Sequence, residues 1–135
     1  MGKGIIIGFI LLAIIIGGYF VFSGTGNVSG EKVTMYKSPS CGCCVGHAGE
    51  LRRNGFDVNV VGDVNQLNNV KTLNEIPSEM RSCHTSVIEG YFVEGHIPIE
   101  AINKLLEEKP DIDGIALPGM PSGSPGMPGP KRGDF

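Results

Sequence analysis

The sequence predicts one small α/β domain that follows a single membrane-spanning helix. Two patterns lead to this prediction. Within residues 31–117, short β-prone runs alternate with segments whose apolar residues recur at helical spacing, and a long uncharged apolar run precedes them. A chain of 135 residues has room for one domain, and its 21 glycines and 9 prolines concentrate outside this middle stretch. The folded domain is therefore expected at residues 31–117.

Residues 1–23 are predicted to form a membrane anchor. Residues 4–22 carry no charge, and as a helix they would be roughly 28 Å long, close to the ~30 Å hydrocarbon core of a bilayer. Lys3 favours a cytoplasmic N-terminus. A cleaved signal peptide is the alternative, and the length of the apolar run argues against it. With a flexible linker at 24–30, the prediction is a single-pass protein of the cell membrane whose domain is extracytoplasmic.

The first strand and the first helix flank a cysteine cluster. A β-prone run at residues 33–36 predicts the strand. The helix follows the cysteines, because Cys44, Ala48 and Leu51 recur at helical spacing until Gly55 ends it. This strand-to-helix junction therefore presents the cysteines at the start of a helix.

The remaining elements complete an α/β sandwich. Residues 56–61 predict a second strand and residues 64–73 a weak helix, while residues 85–88 and 91–93 predict a hairpin around the turn Glu89-Gly90. Pro98 suits the first position of a last helix, whose buried stripe comprises Ile99, Ile102, Leu105 and Leu106. The order β-α-β-α-β-β-α matches a thioredoxin-like sandwich, followed by a Pro/Gly/Met tail at residues 118–135.

Charge and motif content exclude several functions. The net charge is −3 and no basic run occurs, so a nucleic-acid partner is not expected. The chain has no phosphate-binding glycine loop and no Gly-x-Ser-x-Gly elbow, which excludes nucleotide chemistry and serine hydrolysis. No two carboxylates are placed by their spacing as an acid/base pair.

The cysteine cluster predicts a metal site. Cys41, Cys43 and Cys44 lie at a helix N-terminus, where free N–H groups and the helix dipole stabilise thiolates. In a thioredoxin-like fold the loop before the third strand abuts this helix start, so Cys83 and His84 would join them. Four sulfurs and an imidazole form a soft donor set suited to Cu(I), with zinc as the alternative ion.

Two other interpretations of the cysteines remain open. Cys41 and Cys44 have the C-x-x-C spacing of a redox pair, which allows a thiol–disulfide oxidoreductase with Cys41 as nucleophile and Cys44 as resolving thiol. A non-catalytic exported domain with structural disulfides is also allowed. Three thiols in four residues exceed the needs of a redox couple, and adjacent Cys43 and Cys44 suit disulfide cross-linking poorly. Metal binding is therefore favoured.

Other soft or basic donors lie near the predicted site. His96 precedes the last helix and is either a ligand or a hydrogen-bonding residue. His47 lies four residues after Cys43, and a solvated position at the edge of the site is expected for it. Met120 and Met127 carry thioethers that Cu(I) accepts as ligands, but their Pro/Gly tail is expected to pack loosely across the surface.

Four motifs resemble the CopG-like family of predicted metal-binding proteins, a domain-of-unknown-function family associated with bacterial copper resistance. The motifs are YKSPSCGCC at 36–44, MRSCHT at 80–85, VEGHIP at 93–98, and PGMP with GSPGM at 118–127, so the resemblance spans about residues 32–130. It implies a thioredoxin-like fold that binds copper at the Cys-x-Cys-Cys edge. The residues that match the family's ligands by position are Cys41, Cys43, Cys44, Cys83, His84 and His96.

The resemblance also implies a role in copper tolerance or handling, by sequestration, transfer or redox conversion, with other copper-handling proteins as partners. The chain departs from the family pattern at His47, where relatives often carry an aromatic residue. It also stops at Phe135, where relatives continue into an apolar, strand-like stretch that would protect one edge of the sheet.

Overall fold

The computed structural model describes residues 30–132, which form a mixed α/β fold with a five-stranded sheet and three α-helices. The predicted anchor and nearly all of the predicted linker lie outside these residues, and no helix within 30–132 is long and apolar enough to cross a membrane. The elements are β1 (Lys32–Lys37), α1 (Gly42–Arg53), β2 (Asp57–Gly62), α2 (Val64–Leu73), a 3-10 helix (Ser78–Met80), β3 (His84–Ile88), β4 (Tyr91–Glu94), α3 (Ile99–Glu108) and β5 (Gly114–Ala116).

The α/β class predicted from the sequence is confirmed, and the seven predicted elements occur in the predicted order. Two elements were not predicted, namely the 3-10 helix and β5. The three residues of β5 pair in parallel with β4. A three-residue strand has too short a hydrophobic pattern to be recognised, and its pairing depends on a partner distant in sequence.

The sheet order β2-β1-β3-β4-β5 brings the ends of two strands together. β1 is parallel to β2 and antiparallel to β3, and the last residue of β1, Lys37, pairs with the first residue of β3, His84. The end of β1, from which the chain continues to α1, therefore lies next to the start of β3. The sheet therefore places Cys83-His84 beside the cysteines at the start of α1.

Apolar side chains of α1, α3 and the sheet form one core. The stripe predicted for α3 is buried, and α1 contributes Ala48 and Leu51. Burial of each Val, Leu, Ile, Phe or Met side chain contributes about 1.5–3 kcal/mol to folding. The core comprises Val33, Met35, Ala48, Leu51, Phe56, Val58, Ile88, Val93, Ile97, Ile99, Ile102, Leu105 and Leu106.

The C-terminal tail lies directly on α1. Gly126 has φ of 81°, and a Cβ at this position would lie 2.3 Å from the backbone nitrogen of His47. A Cβ at Gly46 would likewise lie 3.0 Å from the Gly126 carbonyl oxygen. Two glycines are thus needed for the backbones to approach this closely. The contact holds the tail against the helix that carries the cysteines.

Candidate metal centre

Helix α1 begins at the cysteines. Cys41 is the N-cap with φ of −76° and ψ of 100°, no side chain caps the helix, and the first turn has no acidic residue. The first N–H groups of a helix lack partners within it, and the dipole favours negative charge there. The start of α1 therefore stabilises negative charge next to the cysteine side chains.

The four thiols meet at this point. The sulfur atoms of Cys41, Cys43, Cys44 and Cys83 all lie within 4.8 Å of one another. Cys41 and Cys44 are joined by a disulfide, the pair that the oxidoreductase interpretation requires, whereas Cys43 and Cys83 are free thiols. The Sγ atom of Cys43 lies 3.5 Å from that of Cys41. In this state two of the four sulfurs, those of Cys43 and Cys83, are available as metal ligands.

Cys83 connects the thiols with two histidines. Its Sγ atom lies 3.3 Å from Nδ1 of His84 and 3.3 Å from Nε2 of His96, and both rings are fully buried. The Nδ1–H group of His96 donates to the Pro125 carbonyl oxygen at 2.7 Å. A neutral imidazole has one N–H and one lone pair, so the lone pair of His96 lies on Nε2, toward Cys83.

All six residues predicted as ligands therefore fall in one cluster. The cluster has two halves. The first is the group of four thiols, and the second is a group of sulfur and nitrogen donors within 4.8 Å of one another, formed by Cys44, Cys83, His84 and His96. Thiolates with imidazoles suit copper and zinc. Cys83 and Cys44 belong to both halves, because each also belongs to the group of four thiols.

The solvated position expected for His47 is wrong. This side chain is fully buried, its Nδ1 atom lies 2.7 Å from Nε2 of His84, and its Nε2–H group donates to the Ile97 carbonyl oxygen at 3.1 Å. The sequence contains a signal for this, because His47 lies three residues after Cys44 and four before Leu51. It therefore belongs to the buried stripe of the helix rather than to its exposed face.

The tail contributes to the rim of the cluster. The sulfur of Met120, a half-exposed residue, lies 3.9 Å from the Cys43 sulfur. The neighbouring Gly119 carbonyl accepts a hydrogen bond from the Ser82 hydroxyl at 2.8 Å. Loose packing is therefore the wrong expectation for this part of the tail. Met127, the other methionine considered, donates its backbone N–H to Ser124 within the tail.

Burial keeps the three imidazoles neutral. It lowers the pKa of His47 to about 4, with a further contribution from the nearby His96 ring. Burial, together with the neighbouring His47 and His96 rings, lowers the pKa of His84 to about 2, and burial also lowers the pKa of His96. Burial and the adjacent Cys43 raise the pKa of Cys83. A metal bound here would therefore meet neutral imidazoles and displace a thiol proton.

These shifts predict that the metal-free protein loses stability in mild acid. An unfolded histidine has a pKa of about 6.5, so below that pH the unfolded chain binds protons that the folded cluster does not. The free energy of unfolding is then highest above pH 6.5 and falls as the pH drops toward 4, by about 1.4 kcal/mol per unit for each of His47 and His84. Urea unfolding between pH 7.5 and 5 measures this slope.

The chain has three histidines, and their rings are neighbours in the cluster or directly beside it, so the slope in that range reports on them. An unfolding free energy that stays constant between pH 7 and 5 would contradict the burial of neutral rings.

A buried carboxylate that the sequence analysis did not assign to the site supports the loop carrying Cys83. Glu94, at the end of β4, accepts hydrogen bonds from the Ser82 backbone N–H at 2.5 Å and from the Thr85 hydroxyl at 2.6 Å. It also forms an ion pair with Lys71 of α2, whose ammonium group donates to the Ser82 carbonyl at 3.1 Å. The network holds the Ser82 backbone before Cys83 and the Thr85 side chain after it.

Comparisons with known proteins agree with this fold. The family described as protein of unknown function DUF411 matches residues 80–127. A solved structure of copper resistance protein copG, Form 2, is 42% identical, with 78% of this chain and 84% of that chain covered and a TM-score of 0.71. Form 1 is 43% identical, with 76% and 81% covered and a TM-score of 0.69. No curated protein matches the chain.

Proposed function

This chain belongs to the CopG-like family of copper resistance proteins, and on that premise we propose that it binds copper, Cu(I) foremost, through its cysteine–histidine cluster. The observation that carries the proposal is the position of Cys83, whose sulfur adjoins the other thiols and lies 3.3 Å from two imidazole nitrogens. Soft sulfur donors favour Cu(I), and zinc is the alternative ion. Such binding would serve copper tolerance or copper handling.

The finer fold that we propose is thioredoxin-like. The arrangement supports it, since a parallel β1–β2 pair joined through α1 is followed by the antiparallel β3–β4 hairpin and α3. In such a fold the junction of β1 and α1 is the functional edge, and here that edge carries Cys41, Cys43 and Cys44.

We also propose that the domain works outside the cytoplasm as part of a single-pass membrane protein, with other copper-handling proteins as partners. The support is the uncharged run at residues 4–22 with Lys3 before it. An extracytoplasmic compartment permits disulfides, which agrees with the bond between Cys41 and Cys44.

The disulfide links copper capacity to the thiol redox state. A dithiol reductant that opens the Cys41–Cys44 bond transfers two electrons and two protons to it and becomes a disulfide itself. All four sulfurs are then available. With the bond closed, the donors that remain are the free thiols of Cys43 and Cys83 with the two imidazoles beside Cys83.

We expect the reduced protein to bind more Cu(I) per chain than the oxidised protein, which retains about one ion at Cys83 and its two imidazoles. The measurement is elemental analysis with thiol titration, after reduction or oxidation and anaerobic loading with Cu(I), with Zn(II) as a competitor. A Cys41→Ser variant, which cannot form the bond, provides the control because its copper content should no longer depend on prior reduction.

A second candidate function has one specific observation in its favour, the disulfide between Cys41 and Cys44 at the start of α1. Such a pair could exchange disulfides with other proteins. Reduced protein that holds no copper under chelator competition, yet reduces insulin disulfides catalytically, would reject the copper proposal in favour of an oxidoreductase.

A further inference from the structure

His47 is buried beside the cluster without facing a sulfur in the hydrogen bonds that the structure describes. Its ring lies between two partners, with Nδ1 2.7 Å from Nε2 of His84 and Nε2 3.1 Å from the Ile97 carbonyl oxygen. The ring centroids of His47 and His84 are 4.9 Å apart. A buried imidazole with two such partners is held in one orientation.

The backbone carbonyl determines which nitrogen of each ring carries the proton. A carbonyl oxygen only accepts, so Nε2 of His47 carries the hydrogen that it donates to Ile97. A neutral imidazole has one N–H, so Nδ1 of His47 is an acceptor, and Nε2–H of His84 donates to it. The lone pair of His84 then lies on Nδ1, which faces the Cys83 sulfur at 3.3 Å.

We propose that His47 is a positioning residue that fixes the tautomer of His84, so that Nδ1 of His84 is offered to a metal together with the sulfur of Cys83. The role in metal binding rests on the proposed function, whereas the tautomer is a property of the protein alone. Histidine ligands commonly donate their second N–H to a carboxylate, a carbonyl or water, which orients the ring. In this chain the acceptor is the imidazole of His47, which is itself held by its hydrogen bond to the Ile97 carbonyl.

Loss of the acceptor at position 47 would leave a buried N–H of His84 without a partner, which is unfavourable. The ring could then adopt its other tautomer and donate from Nδ1 to the Cys83 sulfur, a weak acceptor. In that form the lone pair of His84 faces away from the sulfur cluster, and a ligand is lost although the side chain is still present.

Two substitutions of similar size separate the hydrogen bond from the packing. His47→Phe fills the space with an aromatic ring that has no acceptor. His47→Gln provides an amide oxygen to accept from His84 and an NH₂ group to donate to Ile97. Val45→Ala, at an exposed position of the same helix, controls for changes in α1 itself. Far-UV circular dichroism establishes that each variant is folded.

The first measurement needs no metal. Long-range ¹H–¹⁵N correlation spectra of the reduced, metal-free protein identify which histidine nitrogens carry a proton. We expect His84 to be protonated on Nε2 in the wild type and in His47→Gln, and its Nδ1–H form to gain population in His47→Phe. A wild-type His84 protonated on Nδ1 would overturn the inference without any variant.

The second measurement is Cu(I) affinity in anaerobic competition with a chelator. Loss of an outer hydrogen-bond partner typically weakens metal binding by about 10- to 100-fold, and we expect this for His47→Phe, with His47→Gln within a few-fold of the wild type. Equal affinity of wild type and His47→Phe would overturn the inference. A wild type that binds no copper would instead reject the proposed function and leave the tautomer result standing.

Discussion

Replacement of Cys83 by serine is expected to lower the amount of Cu(I) bound per chain and to weaken the binding of what remains. Cys83 belongs to both donor groups of the cluster, and its sulfur is the atom that two imidazole nitrogens approach. A hydroxyl in its place is a hard, weak donor for Cu(I). The affinity loss should exceed the roughly 10- to 100-fold that follows loss of an outer hydrogen-bond partner.

The copper-to-protein ratio under anaerobic chelator competition tests this, alongside circular dichroism. The fold should survive, because a small polar side chain at a partly exposed position costs about 1 kcal/mol. Cys43→Ser is the matched control, since Cys43 belongs only to the group of four thiols and its loss leaves the sulfur–imidazole half intact. Unchanged stoichiometry and affinity in a folded Cys83→Ser protein would show that Cys83 is not a ligand and that the Cys-x-Cys-Cys loop alone binds copper.

Much of the fold could be predicted from local patterns, and the meeting of the cysteines from the order of the elements that those patterns predict. The apolar stripe of α3 and the turn at Glu89-Gly90, where both residues have positive φ, are set by neighbouring residues. The approach of Cys83 to α1 was predicted from the thioredoxin-like order of the elements. It occurs because β3 is antiparallel to β1 and begins where β1 ends. The family resemblance is confirmed by the solved copG structures.

The parts that escaped prediction depend on partners distant in sequence. His47 lies in the apolar stripe of α1, but its burial is favourable only because His84 and the Ile97 carbonyl supply hydrogen bonds. Glu94 ends a short strand with no local sign that Lys71, on another element, neutralises it. The sequence alone therefore does not decide whether a polar residue in an apolar stripe is solvated or buried against a partner, because the partner lies elsewhere in the sequence.

Glu94→Ala is expected to destabilise the protein by about 3–5 kcal/mol, a large part of the 5–15 kcal/mol typical of a domain. Glu94 is fully buried and Lys71 nearly so, and removal of the carboxylate leaves the ammonium group without its counter-charge. The Ser82 N–H and the Thr85 hydroxyl lose their acceptor at the same time. Urea unfolding of the metal-free protein measures the change.

A double-mutant cycle shows whether the unpaired charge is the cause. Lys71→Met removes the ammonium group, so the Glu94→Ala/Lys71→Met protein should be less destabilised than the two single losses added together. Glu108→Ala is the control, because its pair with Lys104 is exposed and its loss should cost less than about 1 kcal/mol. Additive single losses would contradict a coupled pair. A Glu94→Ala protein as stable as the wild type would show that the loop carrying Cys83 is held in place by other contacts.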